Sequence, residues 1–368
     1  MPKKLRTLNI WSVEYPPEGG GTGVVAKQMC AIFSKKKSVD LTLITKSRSS
    51  LLKEAYWKTE EARGHKIIWV VHLMIKMVFK TGDIHIINCP ISMTLAGICF
   101  SKKKLGKAIF LLHGSEIRFL FNSPLMKIWS YVFLSRLINY SKGFVCHGQD
   151  YRQRTIKTFK NKSVKFNDQK ITYSYFGYDN IVFNDSVESF NIKKFHNVND
   201  DELVVISASR IIIEKGYNEI VKTLTKVKQK NKKFKWFVAG DGPYLPELRE
   251  KVKQFNLNSE TIFLGNISPV KLASYYRASD LYYLPSTYPE SFGLTFAEAQ
   301  ACGLQVIGKN NYGLKESILP SNGWLIDQHN EATDLIMNLT KKKLPTASIF
   351  SRFSTEIVLG QFYERFLR

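Results

Sequence analysis

Two glutamates, Glu290 and Glu298, stand with seven residues between them in Pro-Glu-Ser-Phe-Gly-Leu-Thr-Phe-Ala-Glu-Ala, directly after the apolar run Leu281 to Pro285. The run reads as a short buried strand, and the first carboxylate falls in the loop that follows it. A helix is then expected to begin near Gly293, with the backbone of Phe292, Gly293 and Leu294 offering free amides at its start. Such a start is a natural seat for an anion, above all a diphosphate. Glu290 in the loop and Glu298, about a turn and a half into the helix, can each accept hydrogen bonds from ligand hydroxyls. The same pattern also fits a plain strand-loop-helix unit with two solvated glutamates.

A second constellation supplies the opposite charge. Ser209-Arg210 ends an apolar run from Leu203, and Glu214-Lys215-Gly216 follows, so two cations lie five apart at the carboxyl end of an expected strand. Open α/β sheets bind ligands in that position. No Asp-x-Asp pair of the kind that holds a divalent ion under a diphosphate occurs, and no metal site is expected. His113-Gly114-Ser115-Glu116 follows the apolar strand Ala108 to Leu112, and residues 15 to 25, with Gly20 and Gly21 at their centre, form a glycine-rich loop after the first strand. Glycines suit a loop in which backbone amides come close to a ligand.

The elements that must position these residues follow from periodicity. Short apolar or β-branched runs alternate with amphipathic stretches, the pattern of parallel sheets with crossover helices. In the first half the strand candidates are Leu8 to Val13, Leu41 to Thr45, Ile84 to Asn88, Ala108 to His113, Gly143 to His147 and Thr172 to Phe176. In the second they are Leu203 to Ser209, Lys235 to Ala239, Thr261 to Leu264, Leu281 to Leu284, Gln305 to Gly308 and Trp324 to Ile326. Gly177 to Asn199 is polar, poor in periodicity and reads as a hinge. A chain of 368 residues exceeds what one hydrophobic core serves. The expectation is therefore a first domain over 1–178, a second over 179–345, and a closing helix within 346–368 that returns to the first.

Charge is unevenly spread. Residues 1–180 hold 30 Lys+Arg against 11 Asp+Glu and residues 181–368 hold 24 against 20, so +19 of the net +23 sits in the first half. Such an imbalance points to an anionic partner there, a lipid surface or a polyanion. The five cysteines are scattered and lack any Cys-x-x-Cys spacing, which fits reduced thiols rather than disulfides or zinc. The apolar segment after the basic start, Leu8 to Val13, is too short for an export signal. The most apolar window, Ile67 to Ile75, falls far below the roughly 18 to 20 residues that span a bilayer.

With these motifs in order, the chain resembles the family-4 retaining glycosyltransferases of the glycosyltransferase-B architecture, two Rossmann-like doubly wound domains facing across a cleft. The resemblance covers both halves and includes the lesser turns Gly240-Asp241-Gly242-Pro243, Gly265-Asn266 and Gly313-Leu314-Lys315-Glu316. The chain departs from the family where Ala208-Ser209-Arg210 replaces its usual Gly-Arg. The resemblance implies transfer of a hexosyl-type unit from a UDP- or GDP-linked sugar with retention, without metal or cofactor. Glu298 would hold the ribose, Arg210 and Lys215 with the helix start the diphosphate, and the backbone near Asn266 the nucleobase. Glu290 would orient the donor sugar and His113 would contact a sugar hydroxyl, with Gly20 and Gly21 among the donor-binding residues.

The stretch Phe119 to Tyr140 is rich in large apolar residues, with Lys102, Lys103, Lys104 and Lys107 upstream. Basic residues beside exposed aromatics are how peripheral proteins rest on anionic lipid, while the same stretch also fits a core helix. The membrane reading makes the acceptor a lipid-linked saccharide used in cell-surface polysaccharide or glycolipid assembly, and places the protein in the cytoplasm on the inner membrane face. Two rivals remain: a catalytically silent scaffold of the same fold, and a basic nucleic-acid-binding protein. Against the second, no RNA-module motif accompanies the lysines, so no nucleic-acid partner is expected.

Overall fold

The computed structural model describes residues 5–16, 21–46, 57–63, 67–114 and 116–368. Gly20 and Ser115 lie outside them. The first sheet holds seven strands, β1 (Arg6–Trp11), β2 (Val39–Lys46), β3 (Lys58–Ala62), β4 (Ile84–Ile87), β5 (Ala108–Leu112), β6 (Gly143–His147) and β7 (Ile171–Ser174). Their order is β3-β2-β1-β4-β5-β6-β7, all parallel. The second holds β8 (Leu203–Ala208), β9 (Phe234–Ala239), β10 (Thr261–Gly265), β11 (Leu281–Leu284), β12 (Gln305–Lys309) and β13 (Gly323–Ile326). The order there is β10-β9-β8-β11-β12-β13, again parallel. These are two Rossmann-like α/β units.

Burial explains why the strands read as unbroken apolar runs. Every residue of β4, β5, β6, β8 and β11 is buried, because helices cover both faces of a parallel sheet. Alternate side chains then serve two cores: Leu8, Ile10, Ile86, Ile109 and Leu111 pack on one face of the first sheet, and Trp11, Ile87, Phe110 and Leu112 on the other. Each such side chain contributes about 1.5–3 kcal/mol. β3 is the strand that periodicity missed. It reads Lys-Thr-Glu-Glu-Ala with only Ala62 buried, and as an edge strand it pairs with β2 alone. Charged side chains on an edge suit solvent and leave no apolar signal.

The chain divides into residues 1–176 with 358–368, and residues 177–357. Within the segment 346–368, the part that returns to the first unit is the one from Val358 onward. Helix Ala347–Phe353 stays with the second unit, where Phe353 packs edge-on against Phe292 at 4.8 Å and its carbonyl accepts from the Tyr178 amide at 3.0 Å. Ser354 leaves helical geometry, and helix Thr355–Phe362 begins after it. From Val358 onward the chain belongs to the first unit, with Leu359, Phe362, Tyr363 and Leu367 buried in its core against Phe33. Opposing apolar demands, Phe353 in one core and Phe362 in the other, break the helix between them.

Phe119 to Tyr140 is likewise not one helix. Helix Glu116–Asn122 ends before the extended Ser123, and helix Pro124–Trp129 runs through a π turn at Ser130–Leu134 into helix Ser135–Tyr140. The alternatives of core and surface are both realised: Leu120, Trp129, Leu134, Leu137 and Ile138 are buried, whereas Leu125, Ile128, Tyr131 and Val132 are exposed.

Candidate functional site

In each sheet the chain order reverses at one place, between β1 and β4 and between β8 and β11. Loops leaving the carboxyl ends of two such strands diverge to opposite faces and open a crevice. Gly21 follows β1, Arg210 and Lys215 follow β8, and Glu290 to Glu298 follow β11, whereas His113 follows β5 and Asn266 follows β10.

In the second unit, the loop after β8 forms a short 3₁₀ turn, Ile213–Lys215, and the loop after β11 is zipped onto it. The Glu214 carbonyl accepts from the amides of Thr287 at 2.8 Å and Tyr288 at 3.0 Å. Close approach is possible because Gly216, at φ +81°, presents no side chain: a Cβ there would lie 2.3 Å from the Pro285 carbonyl oxygen. The zipped loops bring Lys215 to Glu290. Lys215 donates to Glu290 Oε1, lies 5.1 Å over the Tyr288 ring, and both charged side chains are largely buried. Ser286 Oγ also donates to Glu290 Oε1 at 3.3 Å. Arg210 stands exposed at the end of the same loop's first stretch. Asn266 is exposed after β10.

Gly293 caps helix Leu294–Ala301 in the left-handed region, φ +83° and ψ +63°. A Cβ there would approach Leu314 Cδ2 to 2.5 Å. Gly293→Ala is expected to lower stability by about 1–3 kcal/mol, from left-handed strain plus the overlap. Urea unfolding measures it, and an unchanged midpoint would show that the helix start readjusts. The neighbouring Phe292 ring is wholly buried against Phe353, so Phe292 can offer a ligand its backbone and not its ring. Leu294 opens the helix half-buried.

Glu298 lies a turn along the helix, half-buried. Burial pushes its carboxyl up to about 7, and the Asp179 carboxylate adds to the rise. Asp179 is itself oriented, accepting from the amides of Ile181 at 3.0 Å and Val182 at 3.3 Å.

In the first unit His113 follows β5 and its ring lies against Phe176 with centroids 5.0 Å apart. His113 Nε2 is 2.9 Å from Asn88 Oδ1. The amides of His113 and Gly114 both donate to Glu116 Oε2, at 2.9 and 2.8 Å, and Tyr151 Oη donates to the same oxygen at 3.3 Å. Burial lowers the His113 ring to about 4, so it is neutral near pH 7, and raises Glu116 above the usual carboxylate range. Gly21 begins helix Gly21–Phe33 with open space beside it. Asn88, Tyr288, Ser286 and Asp179 were missed by sequence reasoning. Only Asn88 carried a signal, as the residue that ends an apolar strand.

Residues 188–350 match the family model described as Glycosyl transferases group 1. Among curated proteins, the alpha-monoglucosyldiacylglycerol synthase of Streptococcus pneumoniae is 35% identical over 128 residues, 34% of this chain and 29% of that protein. The aligned stretch is 29–33% of the length of the first such relatives. Among solved structures, Anabaena Alr3699/HepE in complex with UDP and glucose superposes with a TM-score of 0.76 at 16% identity over 98% of each chain. The sucrose-phosphate synthase of Thermosynechococcus elongatus gives 0.77 at 16% identity, over 98% of this chain and 99% of that one. At those identities the likeness shows the fold, the two-domain α/β glycosyltransferase-B fold.

Proposed function

We infer that the chain is a glycosyltransferase that moves a sugar from a UDP- or GDP-linked donor to an acceptor hydroxyl, with retention at the anomeric carbon. The observation that carries this reading is the Lys215–Glu290 pair held beside the amide-rich start of helix Leu294–Ala301 at the β8/β11 switch point. A leaving nucleoside diphosphate gathers negative charge, and a site that already aims cations and amides at it lowers the barrier. Arg210 and Lys215 supply that charge from the chain itself, so turnover is expected to persist in EDTA. Glu290 and His113 orient the sugar; Glu298 holds the ribose. The solved Anabaena relative contains UDP and glucose, which favours a donor of this chemistry. A thermal-shift panel of UDP- and GDP-linked sugars tests the reading, and a panel in which none of them raises the melting temperature overturns it.

For the acceptor, a lipid-linked saccharide or glycolipid reached from an anionic membrane surface on the cytoplasmic side fits best. The pneumococcal relative is a diacylglycerol glycolipid synthase by name. In helix Ile68–Phe79 only Leu73 and Met77 are buried, leaving Ile68, Val71, Ile75, Val78 and Phe79 exposed. Helix Pro90–Cys99 packs beside it and beside the π turn, adding Ile91 and Ile98, and Leu125, Ile128, Tyr131 and Val132 continue the apolar surface. Exposed Lys102, Lys103 and Lys127 accompany it. No helix among the described residues is long and apolar enough to cross a membrane. Ile75→Glu with Val78→Glu is expected to abolish co-sedimentation with vesicles containing phosphatidylglycerol; undiminished binding would remove this surface from the proposal.

A further inference from the structure

The environment of His113 fixes more than its position. Asn88 is fully buried directly after β4. Its Nδ2 donates to the Thr22 carbonyl at 2.9 Å and to Ser12 Oγ at 3.0 Å. Neither partner can donate in return. A carbonyl has no proton, and the Ser12 hydroxyl commits its own to the Glu14 carbonyl at 2.7 Å. The amide of Asn88 therefore cannot be turned over, and the atom facing His113 Nε2 is an oxygen. An oxygen facing a ring nitrogen at 2.9 Å requires the proton on that nitrogen.

In a neutral imidazole the other nitrogen, Nδ1, then bears only a lone pair. Among the described residues Nδ1 has no hydrogen-bond partner. A half-turn of the ring would put Cε1 where Nε2 stands and forfeit the bond to Asn88 Oδ1; the ring is also packed against Phe176, and the turn that carries it is pinned through the His113 and Gly114 amides by Glu116.

We propose that Asn88 is a positioning residue that locks His113 in the Nε2-protonated tautomer, so that Nδ1 is presented as an acceptor to a hydroxyl of the transferred sugar. The proposal rests on the transferase reading and gives it a direction. The group opposite Nδ1 must donate, so a hydroxyl is accepted there. A carboxylate, as in a uronic acid, would set lone pair against lone pair and be rejected, and a deoxy sugar lacking the hydroxyl would leave the nitrogen unpaired.

Long-range ¹H–¹⁵N correlation spectra of the full chain read the tautomer directly, with the His113 ring assigned from its loss in His113→Gln. At pH 7 and without donor, the wild type is expected to show the Nε2–H pattern. Folded Asn88→Ala is expected to show mixed tautomers, and kcat/KM for transfer to fall about tenfold, the loss of one oriented hydrogen bond. An Nδ1–H pattern in the wild type overturns the proposal, as does an unaltered His113 spectrum in Asn88→Ala. Should Asn88→Ala not fold, the wild-type spectrum still decides. An Nε2–H pattern in a protein that transfers no sugar would sink the transferase reading, and the role given to Nδ1 with it, while the lock itself would stand.

Discussion

Lys215→Ala is expected to reduce sugar transfer by about two to three orders of magnitude, the loss typical when one preorganised donor to a developing anion is removed. Lys215 is held on three sides: by the Glu290 carboxylate, by the Tyr288 ring, and by the backbone turn that Gly216 allows against Pro285. A side chain so confined is already oriented before ligand arrives, and little reorganisation is needed as the diphosphate leaves. The pair is also coupled. Removing the cation takes from Glu290 the partner that offsets its partial burial, so part of the damage passes through the carboxylate. A double-mutant cycle with Glu290→Gln separates the contributions. The two single losses should sum to clearly more than the loss in the double variant, because residues acting as one unit are not additive. Independent, fully additive losses would show that the two side chains do not act as one unit, and an unchanged rate in Lys215→Ala would withdraw Lys215 from the chemistry.

Glu298→Ala is expected to erase the thermal shift produced by nucleotide. A ligand at 100 times its dissociation constant stabilises by about 2.7 kcal/mol, which for units of this size is roughly 5–10 °C. The carboxyl also gives the binding a pH dependence whose sign is fixed. Its folded value, about 7, lies above the ordinary carboxyl value of 4.5, with burial the larger cause and Asp179 the smaller. Below pH 7 the group is protonated and accepts fewer hydroxyl bonds; above it the full carboxylate is present. Nucleotide affinity should therefore rise from pH 6 to pH 8, and Glu298→Gln should flatten that rise after correction for the titration of the phosphate itself. Ligand-free stability runs the other way. Between the unfolded and folded values the folded chain holds a proton that the unfolded chain has released, so this contribution is lost as pH rises through about 7. Equal thermal shifts in wild type and Glu298→Ala would show that the ribose is bound elsewhere.

The fold was legible because parallel strands buried on both faces must be apolar throughout, as β4, β5, β6, β8 and β11 are. β3 was not legible, since an edge strand of lysine and glutamate obeys solvent rather than core. The point at which the last segment passes from one unit to the other, Val358, was not legible, because the two cores that claim Phe353 and Phe362 are separate.

The sequence by itself determined the two α/β units and which ends of which strands carry carboxylates, cations and glycines, because alternation of apolar runs and turn chemistry are local properties of the chain. It could not determine partners. That Lys215 meets Glu290, that Asp179 stands near Glu298, and that Asn88 faces His113 are contacts between residues 75, 119 and 25 positions apart. The first and last of these pairings exist only once the sheet order has brought β8 beside β11 and β4 beside β5. Side-chain chemistry is written along the chain, whereas the field each group feels is set by what folding packs around it.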